Sequence, residues 1–493
     1  MTLGDYLMTG LLRAFGIMCA MCAIISSGTA DAATYYVSKS GSDRNSCPSA
    51  RSESSPKLSI NSALPCLVAG DTLYVKAGVY NEAMFAVPSG TSWSNTVKIA
   101  AYPGDTVWLA PSTDYYVVSF MLSQQYIEFD GINMDGGSAW EGVVRVTDDA
   151  HHIRVRNAEL RGNPNHATNG VSLGDVGGNE FINVRLHRVV GSDFSHGFYL
   201  SAPDNLIENC EIYDVPGAGI HLYSGTGLSL DRNTIRNNVI HDISNSGGPR
   251  AWGVIIAYGS DNAVYNNVIY GIGPGGYGNA GINVYGGFGA KIYNNTVYGS
   301  AGSGVYLGGG HRTQVRNNIL FGNAWGDFVD FGSETDASNN LTSDPRFVNA
   351  GARDFSLRSD SPAIDRGVYL SEVPTDRVGA PRPTGAGFDV GAYEFGGQPT
   401  AQPPQTPPPP PQPPPQPPPS GDGGSSGGVV DASGGVWTLG SNLEILRNGV
   451  QVMGGYGSKI VWHLNSIYVI GDDNNWWRWT TQTWEFTGAT LPS

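Results

Sequence analysis

Charge is scarce in this chain. Of its 493 residues, 28 are Lys or Arg and 43 are Asp or Glu, 14% together, against ~25% in an average soluble protein. With 68 glycines besides, a mainly helical protein is excluded. Basic residues are the scarcer kind, and the net charge of −15 argues against nucleic acid, which is held largely through Lys and Arg. An anionic membrane surface is disfavoured for the same reason. Long apolar runs are missing too: Phe15 to Ile25 falls short of the ~20 residues a spanning helix needs, and nothing later qualifies. The glycines keep no three-residue period, which excludes collagen, and 40% hydrophobic residues with 10% aromatic exclude a disordered chain. What remains is a large folded β-rich protein, expected to be a monomer without a membrane span.

The apolar run follows Arg13 and leads to Ala30, Asp31 and Ala32, the small-residue spacing of a signal-peptidase site. Residues 1–32 read as a signal peptide cleaved near Ala32, and the mature protein as secreted or periplasmic. Only five cysteines occur, two of them in that leader. In an oxidising compartment Cys47 and Cys66, which flank a short amphipathic segment, are expected to pair, leaving Cys210 as a small buried hydrophobe. Residues 398–428 are almost entirely Pro, Gln, Gly and Ser, with 14 prolines between Pro399 and Pro419. Such a segment forms no core and, as polyproline II, spans roughly 65 Å. It separates a body, 33–397, from a tail, 429–493.

The body is repetitive. An Asn preceded at two positions by an apolar residue recurs at 157, 183, 209, 237, 266, 294, 317 and 339, spaced by 26, 26, 28, 29, 28, 23 and 22 residues. This periodicity predicts a solenoid whose coils bury apolar faces only against their neighbours. In such a stack these asparagines are expected to form a ladder, their amides bonding from coil to coil and tolerating the left-handed turn. A second strand led by glycine follows each loop: Gly170-Val-Ser-Leu, Gly197-Phe-Tyr-Leu, Gly219-Ile-His-Leu, Gly253-Val-Ile-Ile, Gly281-Ile-Asn-Val and Gly304-Val-Tyr-Leu. Alternation points Val171, Phe198, Ile220, Val254, Ile282 and Val305 inward. Ser172, Tyr199, His221, Ile255, Asn283 and Tyr306 then face outward, with Ser201, Tyr223 and Tyr285 in a second outward row.

Together with Thr34-Tyr-Tyr-Val-Ser, Gly70-Asp-Thr-Leu-Tyr-Val, Asp344-Pro-Arg-Phe, Ser361-Pro-Ala-Ile-Asp and Asp389-Val-Gly-Ala-Tyr-Glu, these repeats make the chain resemble the right-handed parallel β-helix superfamily, which includes pectate lyases and other secreted polysaccharide-active proteins. The resemblance spans about 34–395. It implies an all-β fold, a right-handed parallel β-helix of about 8–10 coils with a small C-terminal all-β module. It also implies a polysaccharide partner and a groove along the glycine-led strands. Calcium is a cofactor that the resemblance allows, but the outward rows carry no Asp or Glu to bind it, so no metal ligand is assigned.

In that groove His221, Tyr199, Tyr223 and Arg250 are the candidate catalytic residues. Arg145, Asp193, His196, Asp214, Trp252, Asn283, Tyr285 and Tyr306 are candidates for binding substrate. An imidazole, phenols and guanidinium groups suit β-elimination on a uronic-acid polymer, which needs a base at C5, an acid at the leaving oxygen and a partner for the carboxylate. Two other readings stand beside it: a non-catalytic glycan-binding surface or matrix protein, and a glycoside hydrolase using Asp193 and Asp214. The tail is rich in tryptophan, and in the tandem Trp476-Trp477 the rings point to opposite faces of a strand. One ring is then available to stack on sugar, unless the module needs both for its core.

Overall fold

Short coils enclose no core alone, so their apolar side chains are covered by those of the coils on either side. The computed structural model describes residues 32–397, apart from 167–168, 226, 228, 245–248 and 274–277, and in the tail 429–490, apart from 432–435, 440–442, 448, 464–465, 472–474 and 481–483. The expected signal peptide and Pro-rich linker lie outside the described residues, save for Ala32. Across the central coils the strands form three columns. One runs through Leu206–Glu208, Thr234–Arg236, Ala263–Tyr265, Lys291–Tyr293 and Gln314–Arg316. A second runs through Glu211–Val215, Val239–Ile243, Val268–Ile272, Thr296–Tyr298 and Ile319–Phe321. In earlier coils the long strands His151–Arg161 and Glu180–His187 pair with both columns, which joins them into one sheet of 20 strands.

The third column is a separate sheet of nine parallel strands, from Asp114–Phe120 and Ala139–Val146 through Asn169–Gly174, Phe198–Ser201, Ala218–Leu222, Trp252–Ile256, Ala280–Val284 and Ser303–Leu307 to Phe328–Asp330. Its register is the expected one. Val171, Phe198, Ile220, Val254, Ile282 and Val305 are successive partners, and all are fully buried. The leading glycines have a steric cause. A Cβ on Gly219 would lie 2.7 Å from both the Gly253 carbonyl oxygen and the Ile240 side chain, and one on Gly253 would lie 2.5 Å from the Gly281 carbonyl. The third column therefore enters the core too close to the second for any larger residue.

The repeated asparagines bond from coil to coil only in places, Asn183 to Asn157 at 2.8 Å and Asn317 to Asn294 at 3.3 Å, and the continuous ladder forms one residue later than the repeat led us to expect. The repeated asparagines, from Asn157 to Asn339, all have φ between 48° and 60°, so they turn the corner between the first two columns. The next side chain points inward and makes the ladder: Asn238 Nδ2 donates to Asn267 Oδ1 at 2.9 Å, Asn267 to Asn295 at 2.9 Å, Asn295 to Asn318 at 3.0 Å and Asn318 to Asn340 at 2.9 Å. Cys210 heads this column, its backbone N–H donating to Asn238 Oδ1 at 2.8 Å. Its thiol is pushed up to about 12 by burial. A second ladder, Asn179, Asn205, Asn233 and Asn262, lines another corner with amide bonds of 3.0–3.1 Å.

The turn-forming asparagines have other work in the later coils, where Asn266, Asn294 and Asn317 donate to the carbonyls of Thr375, Asp389 and Val368. They tie down the segment that follows the last coil. That segment is anchored by Arg382, fully buried against Glu394 at 2.7 Å and donating also to Gly391 O and Asn266 Oδ1. Burial raises the nearby Asp389 carboxyl to about 6. At the other end Cys47 and Cys66 are joined in a disulfide and pack against the main core. The tail is a separate unit whose described strands form one antiparallel sheet of seven. Trp437 is almost fully buried there, and Trp477, Trp479 and Trp484 pack on the same core.

Asn267→Leu removes the amide that bonds Ile235 O, Tyr265 O and Asn295 and that receives the Asn238 N–H groups. Each stranded group costs about 1–3 kcal/mol, so the chemical unfolding midpoint should drop clearly. An unchanged midpoint would show that the ladder carries no stability.

Candidate functional site

The outward rows of the nine-stranded sheet bring rings together. Tyr199 pairs with His221, and His221 with Ile255, at the ~4.8 Å step between parallel strands. The ring centroids of Tyr199 and His221 are 5.4 Å apart at 90°, those of His221 and Tyr223 5.6 Å apart, and Trp252 lies 6.4 Å from His221. Arg250, from the loop entering the next strand, sits 3.5 Å from Asp193 and lies over the Phe194 ring.

His196 departs from its expected contact with substrate. It is 3% exposed, beneath the sheet surface, with both ring nitrogens engaged. Its Nδ1 accepts from the Ala218 N–H at 3.1 Å, and its Nε2 lies 3.0 Å from His221 Nδ1. Its ring also stacks on Tyr199. Asn283 and Tyr306 keep the expected register on the outward row but are covered, and Asp214 lies on another sheet. Asn283 is buried, its amide drawn to Gly278 O, which also accepts from the Trp252 indole. Tyr306 is buried against Phe331. Asp214 belongs to a strand of the 20-stranded sheet, Glu211–Val215, where its φ of 54° makes it a turn residue. It is not on the sheet that carries His221. Tyr285 is well exposed, as expected.

Beside Tyr199 the sheet opens into a cleft of about 410 Å³. Arg145 lines it, one strand from Ser172 and two from Tyr199. Among the lining residues that escaped the sequence reading are Tyr116, Trp140 and Glu141. Arg145 donates to the Tyr116 hydroxyl at 2.9 Å, and that hydroxyl donates to Glu141 at 2.6 Å. Burial, and then the Glu141 bond, raise the Tyr116 phenol, while burial and then Tyr223 raise that of Tyr199. The signal was present in Trp140-Glu-Gly-Val-Val-Arg145, a strand whose glycine, Gly142, pairs with Asn169 instead of Gly170. That one-residue offset hid it from the glycine-led pattern.

Calcium does not fit these residues. A calcium site needs six to eight oxygen ligands, several of them carboxylate. Of the carboxylates near the groove, Asp193 and Glu141 each face an arginine and Asp175 accepts from Thr147, and among the described residues no three His, Cys, Asp or Glu side chains gather to hold a metal. His166 lies against the cleft residue Trp140, with ring centroids 4.7 Å apart, while several other histidines have different surroundings. His187 and His241 stack almost parallel with Tyr213 and Tyr270 on the larger sheet, and His151 contacts His152.

Residues 131–349 match the family model described as the right handed beta helix region. The body is a right-handed parallel β-helix. No curated protein matches the sequence. Among solved structures, a pectate lyase is 18% identical, covering 74% of this chain and 97% of its own, with a TM-score of 0.54. A rhamnogalacturonan lyase is 14% identical, covering 69% and 97%, with a TM-score of 0.47. The A-module of a mannuronan C-5 epimerase from Azotobacter vinelandii is 16% identical, covering 55% and 88%, with a TM-score of 0.33. At these identities the likeness is one of fold. Among the described residues no helix is long and apolar enough to cross a membrane.

Burial holds both groove histidines neutral, His196 down to about 3, with the neighbouring His221 charge adding to the effect, and His221 down to about 4. An unfolded histidine titrates near ~6.5, so between that pH and about 4 the unfolded chain binds protons that the folded β-helix refuses. The stability tied to these rings is complete above pH 6.5 and is lost as the pH falls through this window. Urea midpoints measured from pH 7 to 4 should fall less steeply for the double variant His196→Gln/His221→Gln than for the parent. Parallel curves would contradict the neutral pair.

Proposed function

We propose that this protein is an exported enzyme that cleaves a uronic-acid polysaccharide by β-elimination in the groove of its nine-stranded sheet. One observation carries the reading: two arginines, Arg145 and Arg250, flank a continuous run of sugar-sized rings, Tyr199, His221, Tyr223 and Trp252, beside an open cleft. Guanidinium groups bind carboxylates in two-point geometry, and aromatic faces carry the apolar side of sugar rings. In β-elimination the proton at C5, next to the carboxylate, is removed, the C5–H electrons form the C4–C5 double bond and the glycosidic oxygen leaves from C4. Charge builds on the carboxylate and on the leaving oxygen, and Arg145, Arg250 and the phenols are the groups that would meet it. The pectate lyase of related fold acts on a polymer of this class, and export is supported by the Cys47–Cys66 disulfide, a bond favoured in oxidising compartments.

The hydrolase reading loses support, because the Asp193 carboxylate faces Arg250 while Asp214 lies on the other sheet. Binding without cleavage remains the alternative outcome. It is separated by following unsaturated uronide absorbance and reducing ends over a panel of polysaccharides. Cleavage with both signals is expected; reducing ends alone would indicate hydrolysis, and neither signal would indicate binding only. On the cleaved polymer His221→Ala should lower turnover by about 10²- to 10⁴-fold with the fold intact, the range for loss of a positioned acid, base or oxyanion donor. A parental rate would place the centre elsewhere in the groove.

For the tail we propose a carbohydrate-binding module. Trp477 packs against the module's core and Phe486, which leaves Trp476, half-buried on the same strand, as the ring to meet sugar. Deleting 429–493 should leave the rate on soluble polymer unchanged and weaken retention on insoluble polysaccharide, since a tethered module raises the local concentration of its substrate. Equal retention would assign these tryptophans to packing.

A further inference from the structure

The position of one proton in the groove follows from a single backbone bond. Ala218 N–H points at His196 Nδ1 from 3.1 Å, and a backbone amide only donates, so this ring nitrogen carries no hydrogen. The neutral His196 ring then holds its hydrogen on Nε2, 3.0 Å from His221 Nδ1, which must accept it. The hydrogen of neutral His221 is thereby left on Nε2, the nitrogen that no described residue bonds. Reversing the chain would set a ring N–H against the Ala218 N–H inside the protein, with His196 at 3% exposure. An unpaired buried donor is costly there.

We infer that His221 meets the substrate as a fixed hydrogen-bond donor through Nε2–H, and that His196 is the positioning residue that sets this tautomer. The inference deepens the lyase reading and rests on it only for the recipient, an oxygen of a uronate ring on which negative charge develops. Burial supports the assignment by keeping both rings unprotonated at neutral pH. A neutral imidazole N–H aimed at a developing oxyanion stabilises it without transferring its proton. Removal of the C5 proton then belongs to a different group of the groove, because the His221 nitrogen that faces substrate has no free lone pair. The rings that contact His221, those of Tyr199, Tyr223 and Trp252, bring no carboxylate or cationic group against the pair.

Nitrogen-15 spectra of the histidines in the full-length protein, at pH 7 and without substrate, test the tautomer directly. His221 should show a protonated Nε2 and an unprotonated Nδ1. His196→Phe should mix the two forms, and His196→Gln, which keeps an N–H near the place of Nε2, should restore the parental one. An unprotonated Nε2 in the parent, or an unmoved tautomer in His196→Phe, overturns the inference; should His196→Phe fail to fold, the parent spectrum decides alone. The second arm uses a polysaccharide that the parent cleaves. His221→Gln retains a donor at the same place but no base, so it should stay within about tenfold of the parent while His221→Ala falls by 10²-fold or more. Equal loss in both makes His221 the base and overturns the role as donor. Absence of cleavage on every polymer refutes the lyase reading and leaves the spectroscopic result to stand by itself.

Discussion

Residue-for-residue parallel pairing between successive coils is the constraint on which everything else in the body depends. Each interior side chain is covered by its counterparts one coil away, as Ile220 is by Phe198 and Val254. A slip by one residue in any coil would turn that whole strand inside out. The same register that closes the core also aligns the outer surface, so Tyr199, His221 and Ile255 stand in line because Phe198, Ile220 and Val254 do. A functional row on such a sheet is a by-product of packing, and its spacing cannot be altered without disturbing the interior.

Corners are where a solenoid strands backbone groups, and this chain answers with two adjacent asparagines of different duty. The first of each pair takes the left-handed conformation, at little steric cost for Asn. The second buries its amide and satisfies the backbone of the coil before it, as Asn267 does for Ile235. Where the second is Cys210 the thiol fills the space, donating to the carbonyls of Phe181 and Glu208. The side chain of the first asparagine takes on a further purpose in the last coils, where it holds the closing segment, with Asn266 also accepting from the buried Arg382.

The groove owes its chemistry to what is paired and what is left open. Asp193 and Glu141 are turned toward arginines, so the surface offered to a polymer is mainly one of donors and ring faces. Burial reinforces this by holding the phenol of Tyr199 protonated and the ring of His221 neutral. The anionic glycan proposed for this surface would meet it on a protein whose overall charge of −15 repels one, since at ionic strengths near 0.15 M only charges within about 8 Å are felt strongly.

The repeat spacing, the two-residue alternation and the leading glycines were enough to place the coils and to align Tyr199 with His221, because both properties are set by local pattern and by the period of the stack. The disulfide was readable for a similar reason, with two cysteines flanking one short segment. The sequence did not separate the turning asparagine from the bonding one, since Asn294 and Asn295 are chemically identical and only the backbone's left-handed step decides which side chain points inward. Nor could it tell that His196 lies beneath the surface and His221 upon it, or that Tyr116 and Glu141 reach Arg145 across the sheet. Those contacts join residues 25 to 29 positions apart, and such distances are settled by how loops of unequal length fold back on the stack, which tertiary packing alone determines.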